Sequence, residues 1–156
     1  MPGELIPCLV LDETGTKAES MNQTESSTDT QYADGRRLFE SAVREFREGG
    51  YFEAHDLWEE LWQELLGPDR LYVQGLIHLA VGNYHRENGN QRGGRSQLGK
   101  ALAKLGRYPE GHWGVDTSAW KQWIVRYLEG IDTDRPPEDL PFDESRFPAH
   151  LPLAPR

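Results

Sequence analysis

Cysteine is nearly absent from this sequence. Cys8 stands alone, which excludes an internal disulfide and any multi-cysteine zinc or iron–sulfur site. Long apolar runs are missing too. No stretch approaches the ~18 residues that a membrane-crossing helix needs, so no membrane span is expected. Positive charge is scarce: 17 Lys+Arg stand against 26 Asp+Glu, a net charge of −9 with a pI of about 5.0. Nucleic acids and anionic lipids attract a positive field, so neither is expected as a partner. Residues 5–11 form a short apolar run, but no basic segment precedes it and Pro7 interrupts it. A secretory signal is therefore not expected, and a cytoplasmic location is.

What is present points to one helical domain with polar ends. The 156 residues are 37% hydrophobic and 28% charged, enough for a single core. Residues 1–30 are rich in Thr, Ser, Glu and Asp without a period, and are expected to be a disordered tail. Met21 opens a polar stretch there and is an alternative start. Residues 31–130 carry helical spacing, and residues 131–156 hold Pro136, Pro137, Pro141, Pro148, Pro152 and Pro155, which predicts an extended tail without helix. Phe142, Phe147 and Leu151 are the residues able to pin that tail to the domain.

Helices are expected over about 31–48, 51–66, 68–87, 91–105 and 119–130. Leu38, Phe39, Ala42, Val43 and Phe46 give the first its apolar stripe, and Gly49-Gly50 stops it. Pro68 suits the first turn of the third. Asn90 is placed to cap the fourth. Gly93, Gly94 and Gly99 weaken that helix unless a close backbone approach requires them. Trp120, Trp123, Ile124 and Tyr127 mark the fifth. The fold class is all-α: a small bundle of four to five helices built from antiparallel hairpins.

The polar residues of the second and third helices fall on unexpected faces. At 100° per residue, Glu53, Asp56, Glu60, Gln63 and Glu64 share a solvent side. His55 and Glu59 fall instead with Trp58 and Trp62. His55, Glu59 and Trp62 make one stripe at i, i+4, i+7. The third helix is apolar nearly all round, as a central helix would be, yet Gln74, His78 and His85 form a single polar stripe along it. The short Gly67-Pro68-Asp69 connection makes the two helices antiparallel neighbours, which brings Trp62 near Gln74 and Glu59 near His78. A polar cluster of His55, Glu59, Trp62, Gln74, His78 and His85 inside the bundle is the resulting expectation.

Three uses fit such a cluster. The first is a satisfied polar core that fixes helix register. The second is a site for a divalent metal, with His55 and Glu59 at i, i+4 and a third ligand from His78 or His85. Those two histidines stand roughly 10 Å apart along the axis, so one ion would take only one of them. The third is acid/base catalysis, for which His55 and Glu59 are the candidate catalytic residues. Neither His-Glu-x-x-His nor paired Glu-x-x-His motifs occur, and polar packing ranks first.

Residues 52–62, read as Phe-Glu-Ala-His-Asp-Leu-Trp-Glu-Glu-Leu-Trp, resemble domain-of-unknown-function family 309, a small all-helical prokaryotic domain. Its His-x-x-x-Glu-x-x-Trp hallmark is met by His55, Glu59 and Trp62. A second block runs from Gln74-Gly75-Leu76-Ile77 to Tyr84-His85. A third has Gly89-Asn90, Gly93-Gly94, Ala101 and Leu105. The resemblance covers about residues 36–130. The family often has Gln where His78 stands and Ala where Gly94 stands, which leaves His55, Glu59 and His85 as the better-placed ligands. The resemblance implies a helical fold and names no substrate.

Other features have plainer readings. A tetratricopeptide-like pattern at Ala42, Phe46, Gly49-Gly50-Tyr51 and Ala54 has no clean second copy roughly 34 residues on. Arg86, Arg92, Arg95, Lys100, Lys104 and Arg107 form the one basic stretch, a solvated helix face able to meet an acidic partner or phosphate. Trp113 and Trp120 border a pocket or fill the core; His112 and His150 receive no role. The functional expectation is a scaffold or interaction domain with a protein partner or as a homo-oligomer. The alternative is a metal-assisted or acid/base enzyme, hydrolase-like, acting on a small molecule through His55 and Glu59.

Overall fold

The computed structural model describes residues 12–131 and 135–156, with side-chain surroundings from residue 27 onward. The helices are α1 (Asp12–Arg47), α2 (Tyr51–Glu64), α3 (Asp69–Glu87), α4 (Gln91–Leu105) and α5 (Ser118–Leu128). Short 3-10 turns lie at His112–Gly114 and Glu144–Arg146. The all-α class expected from periodicity is what the described residues show. The chain divides into two units, Met1–Asp34 and Gly35–Arg156. In the first, helix begins at Asp12, well before the expected start near residue 31; the apolar run at 5–11 lies outside the described residues. Everything below concerns the second unit.

Turn chemistry sets the helix ends. Gly49, Gly67 and Gly89 adopt φ of 87°, 81° and 81°, left-handed values that carry almost no cost for glycine alone. Asn90 caps α4 as expected, its Oδ1 accepting from Gly93 N–H at 2.9 Å. α2 ends at Glu64, not at 66, because Leu65 turns extended. There it leaves the helix to pair with Leu153.

α3 is the central helix, packed against both α2 and α4. Its buried residues include Tyr72, Val73, Leu76, Ile77, Leu79 and Ala80. α3 and α4 approach through glycine: a Cβ on Gly82 would lie 2.6 Å from Leu98 Cγ and 3.1 Å from Leu98 N. A Cβ on Gly94 would meet the Gly82 carbonyl at 3.2 Å. The close approach answers for Gly94; Gly99 has only Leu128 at 4.0 Å and is not explained this way.

The aromatic core sits elsewhere, around Phe39. Its ring is fully buried and lies 5.2–6.2 Å, centroid to centroid, from Phe147, Trp113, Phe142 and Trp58. Such tilted and edge-on pairs add to the area term because ring quadrupoles prefer them. Phe46 continues the cluster to Tyr51, Trp58 and Trp120. Trp113 and Trp120 are thus buried core residues.

The proline-rich segment closes this core. Leu140 and Phe147 are buried, as is no exposed tail. Proline carbonyls accept what proline nitrogens cannot donate: Asp116 N–H donates to Pro141 O at 2.9 Å, and Leu66 N–H to Pro152 O at 2.7 Å. Bridges pair Val115 with Phe142 and Leu65 with Leu153. Phe147 docks as expected; the contribution of Leu140, and the 3-10 turn at Glu144–Arg146, were not anticipated.

Candidate functional site

The stripe residues of α2 and α3 do not lie in a dry interior: His55, Glu59, Trp62, Gln74, His78 and His85 are all half-buried. On α3, Gln74, His78, Val81 and His85 are half-buried, while residues 75–77, 79–80 and 82–83 are buried. The half-buried positions follow one line along the helix, at i, i+4, i+7 and i+11. Because α3 is flanked by α2 and α4, that line is the floor of an open seam between them. On α2, the His55 side chain is 19% exposed and Glu59 is 45% exposed. Trp62 is half-buried. The expectation of a buried His/Glu/Gln cluster is therefore corrected to a polar seam at the surface. The physical reason is cost: an ionised Glu59 without close partners would be heavily penalised in an apolar interior, and a helix face that borders the core is also where side chains reach water.

The members of the stripes bond separately. His55 Nδ1 lies 3.2 Å from the Phe52 carbonyl and 3.3 Å from Asp56 Oδ1, while its Nε2 is 3.9 Å from Glu59 Oε1. That last distance is beyond a hydrogen bond. His78 Nδ1 donates to Gln97 Oε1 on α4 at 2.7 Å. Burial lowers the His78 pKa below its usual value, the Gln97 bond opposes this, and Lys104 and Lys100 lower it further. Its surroundings thus favour the neutral imidazole. His85 Nδ1 accepts from Asn90 Nδ2 at 3.4 Å, a long contact. Among the described residues, no group of three or more His, Cys, Asp or Glu side chains is placed to hold a metal ion. His55, Glu59, His78 and His85 do not form one ligand set.

Aromatic rings continue the seam at one end. Phe52 is 47% and Tyr84 39% exposed, and their rings lie 5.3 Å apart, with Phe52 also 5.4 Å from the His55 ring. At the other end Arg70 stacks on the Trp62 ring, its Cζ 3.8 Å from the centroid, and its Nε donates to the Trp62 carbonyl at 3.3 Å. Phe52 reads as core on a helical wheel, and only the structure shows it uncovered.

Residues 39–97 match the family model of DUF309, a domain of unknown function. The DUF309 segment contains α2, α3 and the part of α4 that carries Gln97, so every stripe residue lies within it. An uncharacterized protein of Aquifex aeolicus (strain VF5) is 22% identical over 102 residues, 65% of this chain and 31% of that protein. The chain thus spans about a third of the length of that relative.

Several polar residues escaped the sequence reading. Asn83 is the fully buried polar residue of α3; its Nδ2 donates to the Leu79 carbonyl at 2.9 Å, and its Oδ1 is unpartnered among the described residues. His112 pairs with Asp69, Nε2 to Oδ1 at 3.0 Å, and packs on Tyr72 with centroids 4.5 Å apart. Burial, with Glu110 and Asp69 nearby, raises the Tyr72 pKa far above its usual value. The Tyr72 hydroxyl donates to the His112 carbonyl at 2.9 Å, tying the 3-10 turn to α3. Nothing in the spacing of His112 signals a partner 43 residues away. No described helix is long and apolar enough to cross a membrane.

Proposed function

We propose that the chain is a non-catalytic interaction domain whose recognition surface is the α2–α3–α4 seam. One observation carries this reading: Phe52 and Tyr84 stand exposed in mutual ring contact beside His55. Exposed aromatic pairs next to adaptable polar groups are the make-up of binding surfaces rather than of idle ones. His55, Glu59, Gln74, His78 and His85 then supply hydrogen-bonding specificity along the seam. The partner is another protein or a second copy, and a cytoplasmic setting accords with the reading. The functional unit is the helical domain with the segment at 135–156 as its structural closure.

The test places a photo-cross-linker at Phe52 in the full chain and compares it with one at exposed Ser96 on α4, in cells expressing the protein. A discrete adduct from position 52 alone, lost in a folded Tyr84→Ser variant, is the expected result. Equal adducts from both positions would end the proposal.

A second reading has its own support. His55 lies near the Asp56 and Glu59 carboxylates, its Nδ1 3.3 Å from Asp56 Oδ1 and its Nε2 3.9 Å from Glu59 Oε1, a grouping of residue types used in acid/base work on a small molecule. Saturating substrate screens with Glu59→Gln as control would test it; activity unaffected by that change discards it.

A further inference from the structure

The opposite end of the seam has a different chemistry. From Gln91 to Pro109 the chain carries Arg92, Arg95, Lys100, Lys104 and Arg107, and no Asp or Glu. This is a cationic segment in a molecule of net charge −9. Lys100 and Lys104 on α4 lie near enough to His78 for their charges to lower its pKa. Arg107, one turn further, reaches a concavity of about 480 Å³ at its end, which Trp62, Arg70, Leu71, Gln74 and Tyr108 also line. No carboxylate lines it. Neither Arg70 nor Arg107 has a carboxylate partner among the described residues, whereas Arg36, Arg47 and Arg156 are paired with Glu40, Asp139 and Glu64.

We propose that this notch binds carboxylate side chains of an acidic segment in a partner protein. The inference rests on the interaction reading above and names the partner's chemistry. Two guanidinium groups in one concavity offer forked donors that match carboxylate geometry. Contact with the Trp62 ring and the Nε bond to the Trp62 carbonyl restrain Arg70 in advance, so less freedom is lost on binding. Tyr108 is held by its hydroxyl, which donates to the Pro68 carbonyl at 2.6 Å, and gives the notch a firm aromatic wall. Beyond it, Lys104 and Lys100 continue positive charge along the seam, a track for further acidic residues of an extended segment. Asp69, near Tyr108, and Glu59 on the α2 wall are the opposing charges, and they direct an acidic chain toward α4. Electrostatic complementarity of this kind governs specificity and association rate.

The experiment uses the full chain, isotope-labelled for NMR, titrated at low salt with a twelve-residue peptide rich in Asp and Glu. Its Asn/Gln counterpart and inorganic phosphate serve as the other probes. The acidic peptide is expected to shift the Trp62 indole N–H and the Gln74 side-chain amide. Affinity should fall at least tenfold in Arg70→Gln/Arg107→Gln and weaken as salt rises. Absence of those shifts overturns the proposal, as does equal affinity for the neutral peptide or undiminished binding by a folded double variant. Phosphate competing as well as the peptide overturns it too, since the notch would then be a general anion site. Acidic-peptide binding that persists while position 52 captures nothing leaves the notch standing and discards the wider surface. A specific adduct at 52 without peptide binding discards the notch alone.

Discussion

Two regions of this molecule are built from similar residues and behave oppositely. Around Phe39, rings meet rings and a proline-rich segment seals them from water. Along α2, α3 and α4, Phe52, Tyr84 and Trp62 stand beside histidines, glutamines and a glutamate in a seam that no residue of 139–154 covers. Apolar and polar residues alternate at helical spacing in α1 and α2 alike, while α3 is apolar nearly all round. What separates them is a third layer: residues 139–154 cover the first region and leave the second open. Burial here is decided by tertiary closure, and the helical wheel alone does not reveal it.

The contrast breaks most severely at Phe39. Replacing it with Ala removes a fully buried ring with aromatic neighbours on several sides and should cost about 3–5 kcal/mol, measured by urea unfolding. A cost under about 1 kcal/mol would mean the core is not closed as described. Gly82→Ala comes next. The new methyl meets Leu98 side chain and backbone, and overpacking of this kind costs about 1–3 kcal/mol; a neutral result would show that α3 and α4 can part freely.

The seam yields smaller effects. His78 has a lowered pKa in the fold against an ordinary 6.5 in the unfolded chain. Well above pH 6.5 both states are neutral there, and the residue gives no pH slope. As pH falls below 6.5 the unfolded state takes the proton first, so stability declines toward the folded-state value. His78→Gln should remove that part of the decline, seen as a shallower acid branch in thermal unfolding against pH; superimposable branches would deny it. Glu59→Gln is expected to change stability least, by under about 0.5 kcal/mol, because the group is 45% exposed and its histidine partner is distant. A loss above 2 kcal/mol would return Glu59 to the interior.

Most of the architecture was legible in the residues. Apolar spacing located the five helices, Asn90 marked a real cap, and the near-continuous apolar character of α3 identified the central helix. The stripes His55, Glu59, Trp62 and Gln74, His78, His85 could be read along their own helices, each member on one line of α2 or α3. Their depth was not legible, because an angle on a wheel does not say whether a further element lies above it. Nor could spacing reveal that His78 bonds to Gln97, 19 positions away, or that Arg70 lies over the Trp62 ring. These depend on how α4 and the α2–α3 turn are placed, information carried by packing between elements rather than within one.

The docking of residues 139–154 also bears on how the chain acquires its structure during synthesis. Domains tend to assemble as they emerge, amino-terminal portion first. Here the helices can form early, but Phe39 and Trp113 wait for Leu140 and Phe147, and Leu65 for Leu153. Until then the nascent bundle presents sticky rings to its surroundings. Ribosome-bound chains halted near position 135 should therefore be held by a chaperone or misassemble, and release past residue 154 is the event that commits them.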